Sequence, residues 1–317
     1  MKDGNRTNAK APRNRTIDTS LSDGAEYLSR CIRPRSVPFA ASEITDRIII
    51  GDTFETLPLI PEKIADLIIA DPPYNLTKSY NGSSFSKRSA EDYEEYTRRW
   101  LLLVKPLLRD GGTIYVCCDW ESSLIIGRVL GEFFAVRNRI TWQREKGRGA
   151  GANWKNGMED IWFATNGADY TFNLDAVKQR RRVMAPYRSE GEPKDWQQTD
   201  GGKFRDTCPS NFWDDITIPF WSMPENTAHP TQKPEKLCAK LILASSNDGD
   251  TVLDPFIGSG TTAVTAKKLG RHYIGVELEE RFCIWAQQRL EMAETDKSVQ
   301  GYSDGIFWER NSFPKQK

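Results

Sequence analysis

"TVLDPFIGSGTTAVTAKKLGRHYIGVEL" (251–278) reads as a strand, a glycine-rich turn, a helix and a second strand. A short β-branched run ends on Asp254, Gly258 and Gly260 follow, helical spacing holds over 260–269, and a strand over 272–278 closes on Glu277. Two strands joined by one crossover helix form a parallel pair. The pattern extends upstream. "RIIIG" (47–51), "ADLIIA" (65–70) and "TIYVCC" (113–118) are short strands. "SAEDYEEYTRRWLLLVKPLL" carries apolar residues at helical spacing behind Ser89 as N-cap, and stops near Gly111-Gly112. Further helices are expected over 121–131, 235–246 and 279–293, and "AVRNRITWQ" and "EDIWFAT" are strands flanking the glycine-rich loop "KGRGAGANWKNG". Strands alternating with helices define an α/β chain built on one doubly wound, mostly parallel sheet.

Two stretches fall outside the alternation. Residues 1–44 are polar without sustained period and read as an arm or disordered leader. From 168 to 228 periodicity fades while charge, tryptophan and proline persist, so this stretch reads as an irregular insertion, and long insertions in compact domains are functional or disordered. The chain thus divides into the leader, a first half (45–167), the insertion (168–228), a second half (229–295) and a tail (296–317).

With 38% hydrophobic and 28% charged residues in 317, the composition is that of a globular protein. No apolar run approaches the roughly 18 residues of a membrane span, and the start lacks a signal-peptide core, so a cytoplasmic location is expected. Six cysteines form no CxxC pair, which argues against a zinc site or a disulfide framework. Charges balance at 44 of each sign, so net charge gives no argument for a polyanionic partner. Their distribution does: Arg137, Arg139, Arg144, Lys146, Arg148 and Lys155 face one acid, and Lys178, Arg180, Arg181, Arg182 and Arg188 form a second run. Solvated loops can look the same.

The strand ends carry the chemistry. In open α/β sheets ligands sit beyond the carboxyl ends of the strands. A phosphate-binding loop needs a lysine after its second glycine, whereas Thr261 and Thr262 follow here. Ala263 is a tolerated variant of the third glycine of a dinucleotide turn, and Glu277 stands where an acid can bond a ribose diol, so the unit suits an adenosine-bearing cofactor. The plain alternative is a glycine turn beside a surface glutamate.

A second apolar strand ends the same way, in "IIADPPYNL" (68–76). An amine conjugated to an aromatic ring is a weak nucleophile, and acceptors for its two N–H bonds would localise the lone pair. Asp71 and the Pro72 carbonyl are candidate acceptors, Pro72 and Pro73 hold them rigid, and Tyr74 offers a face for an extruded base.

"DPPYN" (71–75), "HPTQKPEKL" (229–237), "DPFIGSGTT" (254–262) and "GVELEERF" (275–282) together resemble the amino-DNA methyltransferases that use S-adenosylmethionine, in the circularly permuted β-class order, over about 47–293. The resemblance implies a Rossmann-like methyltransferase fold with the insertion as target recognition region. It implies Asp71, Pro72, Pro73 and Tyr74 as the catalytic motif. Phe256, Gly258, Gly260 and Thr261 would line the methionine part of the cofactor above Asp254, Glu277 would take the ribose hydroxyls, and Asp52 would sit near the adenine. His229, Thr231 and Lys233 would border the cofactor's carboxylate end. It implies a DNA adenine N6-methyltransferase of a restriction–modification system acting on double-stranded DNA without a metal, with a homodimer expected. N4-cytosine transfer is the nearest alternative, and a catalytically silent DNA-binding module the alternative of another class.

Overall fold

The computed structural model describes residues 11–76, 78–80, 83–85, 87–144, 151–184, 187–199 and 201–309. Lys146 and Arg148 of the first basic run lie outside them.

One eight-stranded sheet organises the chain. Its strands are β1 (Arg47–Ile50), β2 (Ala65–Ala70), β3 (Leu108–Cys118), β4 (Ala135–Gln143), β5 (Met158–Thr165), β6 (Phe212–Trp213), β7 (Thr251–Asp254) and β8 (His272–Glu277). They lie in the order β1-β8-β7-β2-β3-β5-β4-β6. The pairs from β1 through β3 are parallel, β5 runs antiparallel to β3 and β4, and β6 is parallel to β4. The sheet is mostly parallel, as expected, with an antiparallel hairpin toward one edge.

Both faces are covered, and the two-residue period of the strands sorts their side chains. Ile68, Ala70, Ile114, Val116 and Cys118 turn toward helices α1 (Ala90–Val104) and α2 (Trp120–Phe133), packing on Trp100, Leu101 and Ile126. Leu67, Ile69, Tyr115 and Cys117 turn the other way, toward α3 (Glu235–Ser245), α4 (Thr261–Lys268) and α5 (Glu280–Thr295). Cys117 and Cys118 are buried in their strand, one on each face. The Ser89 hydroxyl caps α1 by accepting from the Asp92 amide at 3.0 Å, and Asp119 caps α2 through the Ser122 amide at 2.9 Å.

The two motif-bearing strands are neighbours. Val252 pairs with Leu67 and Leu253 with Ile68. From β7 the chain winds to β8, from β2 it winds to β3, so the sheet's direction of winding reverses between them, where a crevice must open.

Three expectations need correction. Residues 11–44, read as an arm or disordered leader, pack on the body among the described residues. Ile17 bridges to Thr227, Ile32 to Ile49, and the Trp285 indole donates to the Thr19 carbonyl at 3.0 Å. The insertion, read as irregular, forms short strands. Gln197–Thr199, Gly202–Thr207 and Gln179–Arg182 join the tail strands Ile306–Trp308 and Tyr302–Ser303 in a second, five-stranded sheet. It returns through β6 to the edge of the main sheet. Residues 302–308 of the tail are therefore built into the insertion's sheet.

Candidate active site

A cavity of about 430 Å³ opens at the carboxyl ends of β2, β7 and β8. Asp71, Pro72, Pro73 and Tyr74 line one side, Asp254, Phe256, Gly258 and Thr261 another, and Asp52, Glu277, His229, Thr231 and Lys233 complete the wall. Of the catalytic and cofactor-binding residues that the resemblance implied, Gly260 alone is not on the wall. It caps α4 at φ +84°, and a Cβ there would stand 2.6 Å from the Ala286 methyl. Its missing side chain lets α5 approach the turn. Gly258, at φ +53°, does face the cavity, and a Cβ there would come within 3.2 Å of the His229 ring.

The acids of the β7–β8 unit are held by backbone donors. Asp254 accepts from the Phe256 amide at 2.9 Å, and burial pushes its carboxyl up to about 7 despite that bond and one from Thr262. Glu277 accepts from the Gly258 amide and the Glu279 amide, each at 2.8 Å, and burial likewise raises it to about 7. A further backbone bond comes from Leu278, and of the four lone-pair sites of the carboxylate one remains for a hydroxyl donor. Asp52 caps the short helix Thr53–Thr56, accepting from the Phe54 amide at 2.8 Å, and Thr53 donates to the Pro255 carbonyl at 2.7 Å. The turn after β1 is thereby tied to the glycine turn after β7. His229 stacks edge-on against Phe282, with centroids 4.4 Å apart, and its Nδ1 accepts from the Thr231 amide at 3.3 Å.

The carboxylate side holds a charge network. Asp71 Oδ2 lies 2.6 Å from Lys233 Nζ, and Asp71 Oδ1 accepts from the Tyr74 hydroxyl at 2.9 Å. The same hydroxyl lies 3.2 Å from Glu159 Oε2 and 3.0 Å from Lys233 Nζ. With one proton it donates to one carboxylate at a time while accepting from the ammonium. Glu159 is also 3.3 Å from Lys233 and pairs with Arg144. Burial pulls the Lys233 ammonium toward neutrality, but Asp71 and Glu159 outweigh it and the net shift is upward, so it stays charged. Burial, reinforced by Asp71 and Glu159, lifts the Tyr74 phenol well above its usual range. Tyr74 is thus a neutral bridge between two anions.

Lys233, which the resemblance implied at a cofactor carboxylate, lies on the cavity wall, and its ammonium donates to Asp71 and to the Tyr74 hydroxyl. The sequence shows Arg144 only as one member of a basic run, and no motif in it singles out Glu159. An acid set directly against the apolar run of β5 was the available signal, because such a residue is buried and must find a partner. Asn75 clamps the segment after the motif, accepting from the Arg88 amide at 2.8 Å and donating to its carbonyl at 3.1 Å. The Pro73 carbonyl accepts from the Tyr93 hydroxyl at 3.1 Å.

The residues of the cavity fit S-adenosylmethionine. Two carboxylates suit a cation and a diol, Gly258 permits close backbone approach, and Phe256, held edge-on by Trp100 at 5.7 Å, supplies an apolar wall.

Comparison with known proteins agrees with this architecture. The family described as DNA methylase, of the N6/N4 type, matches residues 65–288, and the chain belongs to it. It is an S-adenosylmethionine-dependent family of DNA methyltransferases. The chain is 34% identical over 248 residues to the type II methyltransferase M.HpaI of Haemophilus parainfluenzae, covering 77% of this chain and 74% of that one. It is 34% identical over 258 residues to the DNA adenine methyltransferase YhdJ of Escherichia coli strain K12, covering 78% and 83%. Among solved structures, the cytosine-N4-specific PvuII DNA methyltransferase shares the fold with a TM-score of 0.57 at 18% identity, over 80% of this chain and 88% of that one.

Proposed function

We propose that the chain methylates the exocyclic N6 of adenine in double-stranded DNA at a specific sequence. The observation that carries the reading is the meeting, in one cavity, of the rigid Asp71–Tyr74 turn with the glycine turn and acids of the β7–β8 unit. S-adenosylmethionine, when bound, supplies an electrophilic methyl group. The chain's part is to hold a flipped adenine so that N6 faces it. Asp71 and the Pro72 carbonyl accept the two N–H bonds and localise the nitrogen lone pair, and the prolines keep the acceptors in place before substrate arrives. With the cofactor bound, N6 would take the methyl group and leave the electron pair of the broken methyl–sulfur bond on the sulfur, and the surplus proton of the amine would leave through Asp71 to solvent. Asp254, Phe256, Gly258 and Glu277 hold the cofactor, with Asp52, Thr261, His229 and Thr231 around it.

In the resembling family an aspartate at the head of the motif goes with adenine and a serine with cytosine, so Asp71 favours adenine, as does the 34% identity to a named adenine methyltransferase; the cytosine-N4-specific neighbour supports the fold alone. The insertion's strands are proposed to contact DNA, with Arg181 and its cross-strand neighbour Arg205 on one face and Arg182 on the other as candidate contacts. Part of the insertion's charge is spent internally, since Arg180 pairs with Asp206 at 2.7 Å and Lys178 with Asp175 at 2.7 Å. Among the described residues no helix is long and apolar enough to cross a membrane. A cytoplasmic homodimer serving a restriction–modification system completes the proposal.

The test is transfer of labelled methyl groups to mixed-sequence duplex DNA, followed by nucleoside mass spectrometry. Labelled N6-methyladenine, falling by about three orders of magnitude or more in Asp71→Ala, is expected. N4-methylcytosine would overturn the base, and no labelled nucleoside would overturn the activity.

A further inference from the structure

Lys233 is nine-tenths buried, and its ammonium has three protons to donate. Two acceptors take hydrogen bonds from it, Asp71 Oδ2 at 2.6 Å and the Tyr74 hydroxyl at 3.0 Å, and Glu159 lies 3.3 Å away as an ion-pair partner. Two of its three protons are thus committed to the Asp71–Tyr74 pair, and its charge faces Glu159. Glu159 in turn pairs with Arg144, so charges alternate along Arg144, Glu159, Lys233 and Asp71. The participants come from four places far apart in the chain: the end of β2, the end of β4, the start of β5 and the turn before α3.

We propose that Lys233, backed by Glu159, is a positioning residue that fixes the rotation of the Asp71 carboxylate for the amine of the target base. The inference rests on the methyl-transfer reading of the site. A carboxylate on a single Cβ is free to turn about χ2. Here the ammonium anchors one oxygen and the Tyr74 hydroxyl the other, so the remaining lone pairs keep one direction before a base arrives. Lys233 also separates two acids that would otherwise meet across Tyr74 and repel. Misplacing a reacting group by an ångström costs about a hundredfold in rate.

The experiment measures steady-state transfer to duplex DNA and, by calorimetry without DNA, the affinity for S-adenosylmethionine. Lys233→Met removes the charge while keeping the length of the stem. The expected result is a fall of about 100-fold in kcat, with cofactor affinity within about threefold of wild type. Glu159→Gln leaves Lys233 in place and loosens its backing, so a smaller fall of the same kind, about tenfold, is expected even where Lys233→Met folds poorly. An unchanged kcat in either variant overturns the inference. So does a loss of cofactor affinity above about tenfold with kcat restored at saturation, which would return Lys233 to the cofactor's carboxylate. Wild-type transfer in the same assay tests the activity reading separately: product from the wild type with kcat intact in the variants sinks the positioning role alone.

Discussion

Asp254 and Glu277 are acids of one cavity with one abnormality. Carboxyls of their kind titrate near 4 when free, and burial lifts both to about 7. Raised values mean that the folded state holds these protons more tightly than the unfolded chain. The stability this gives is full below about pH 4 and is lost as pH rises through 7. A cation in the cavity reverses the preference by favouring the ionised forms. S-adenosylmethionine should therefore bind more tightly as pH rises from about 6 to about 8, by up to about tenfold for each carboxyl that must ionise. Glu277→Gln should bind more weakly throughout and show a flatter pH dependence, since one titrating group is gone. Calorimetry at three pH values would check it; identical slopes in the two proteins would show that Glu277 is already ionised before the cofactor binds.

The glycine turn between β7 and α4 shows how two residues of one type serve different ends. Gly260 is closed in by α5 at a left-handed φ, whereas Gly258 faces the cavity and His229. Gly260→Ala should thus cost about 2 to 4 kcal/mol of folding stability, from the left-handed backbone and the collision with Ala286. Gly258→Ala should cost less stability and instead weaken cofactor binding. Denaturant unfolding and calorimetry separate the two effects, and equal stability losses would refute the division. The sequence pattern "GSG" identified the turn but not which glycine served packing, because Ala286 lies on a different element. The same limit explains what else was legible. Strands β1, β2, β3, β7 and β8 and their helices were readable because local periodicity dictates them. Strands of the insertion are two to six residues long, and Ile306–Trp308, which pairs with Gln179–Arg182, comes from over 120 positions further along the chain, so no local pattern announces a sheet. The Asp71–Lys233 contact spans 162 positions and is equally invisible to a local reading.

At the scale of the whole molecule, the insertion is fastened to the second half by a buried charge cluster. Asp215 accepts from Lys240 Nζ at 2.7 Å and lies 2.7 Å from Lys236 Nζ, while Lys236 also donates to the Trp308 carbonyl at 2.6 Å. Insertion and α3 thus meet at one carboxylate and the tail joins through Lys236, with Lys240 and Asp215 almost wholly excluded from water. Desolvation lowers Lys240 to about 8 even though Asp215 opposes the shift, and the two lysines hold Asp215 below its usual value. Removing the acid strands two buried ammonium groups, so Asp215→Ala should cost about 3 to 5 kcal/mol. The cost should depend on pH with a definite sign. A lysine whose folded pKa is depressed binds fewer protons folded than unfolded, so its penalty eases as pH rises. Without Asp215 the depression deepens, and Lys240 sheds its proton at a lower pH than in the wild type. The variant's deficit should therefore be larger near pH 6 than near pH 9, where Lys240 is neutral in both proteins. Urea unfolding of both proteins at the two pH values measures it. A deficit independent of pH would mean that lost packing against Trp213 and Phe307, over whose rings the Lys240 ammonium lies at 4.9 and 5.7 Å, outweighs the stranded charge in joining the insertion to the body.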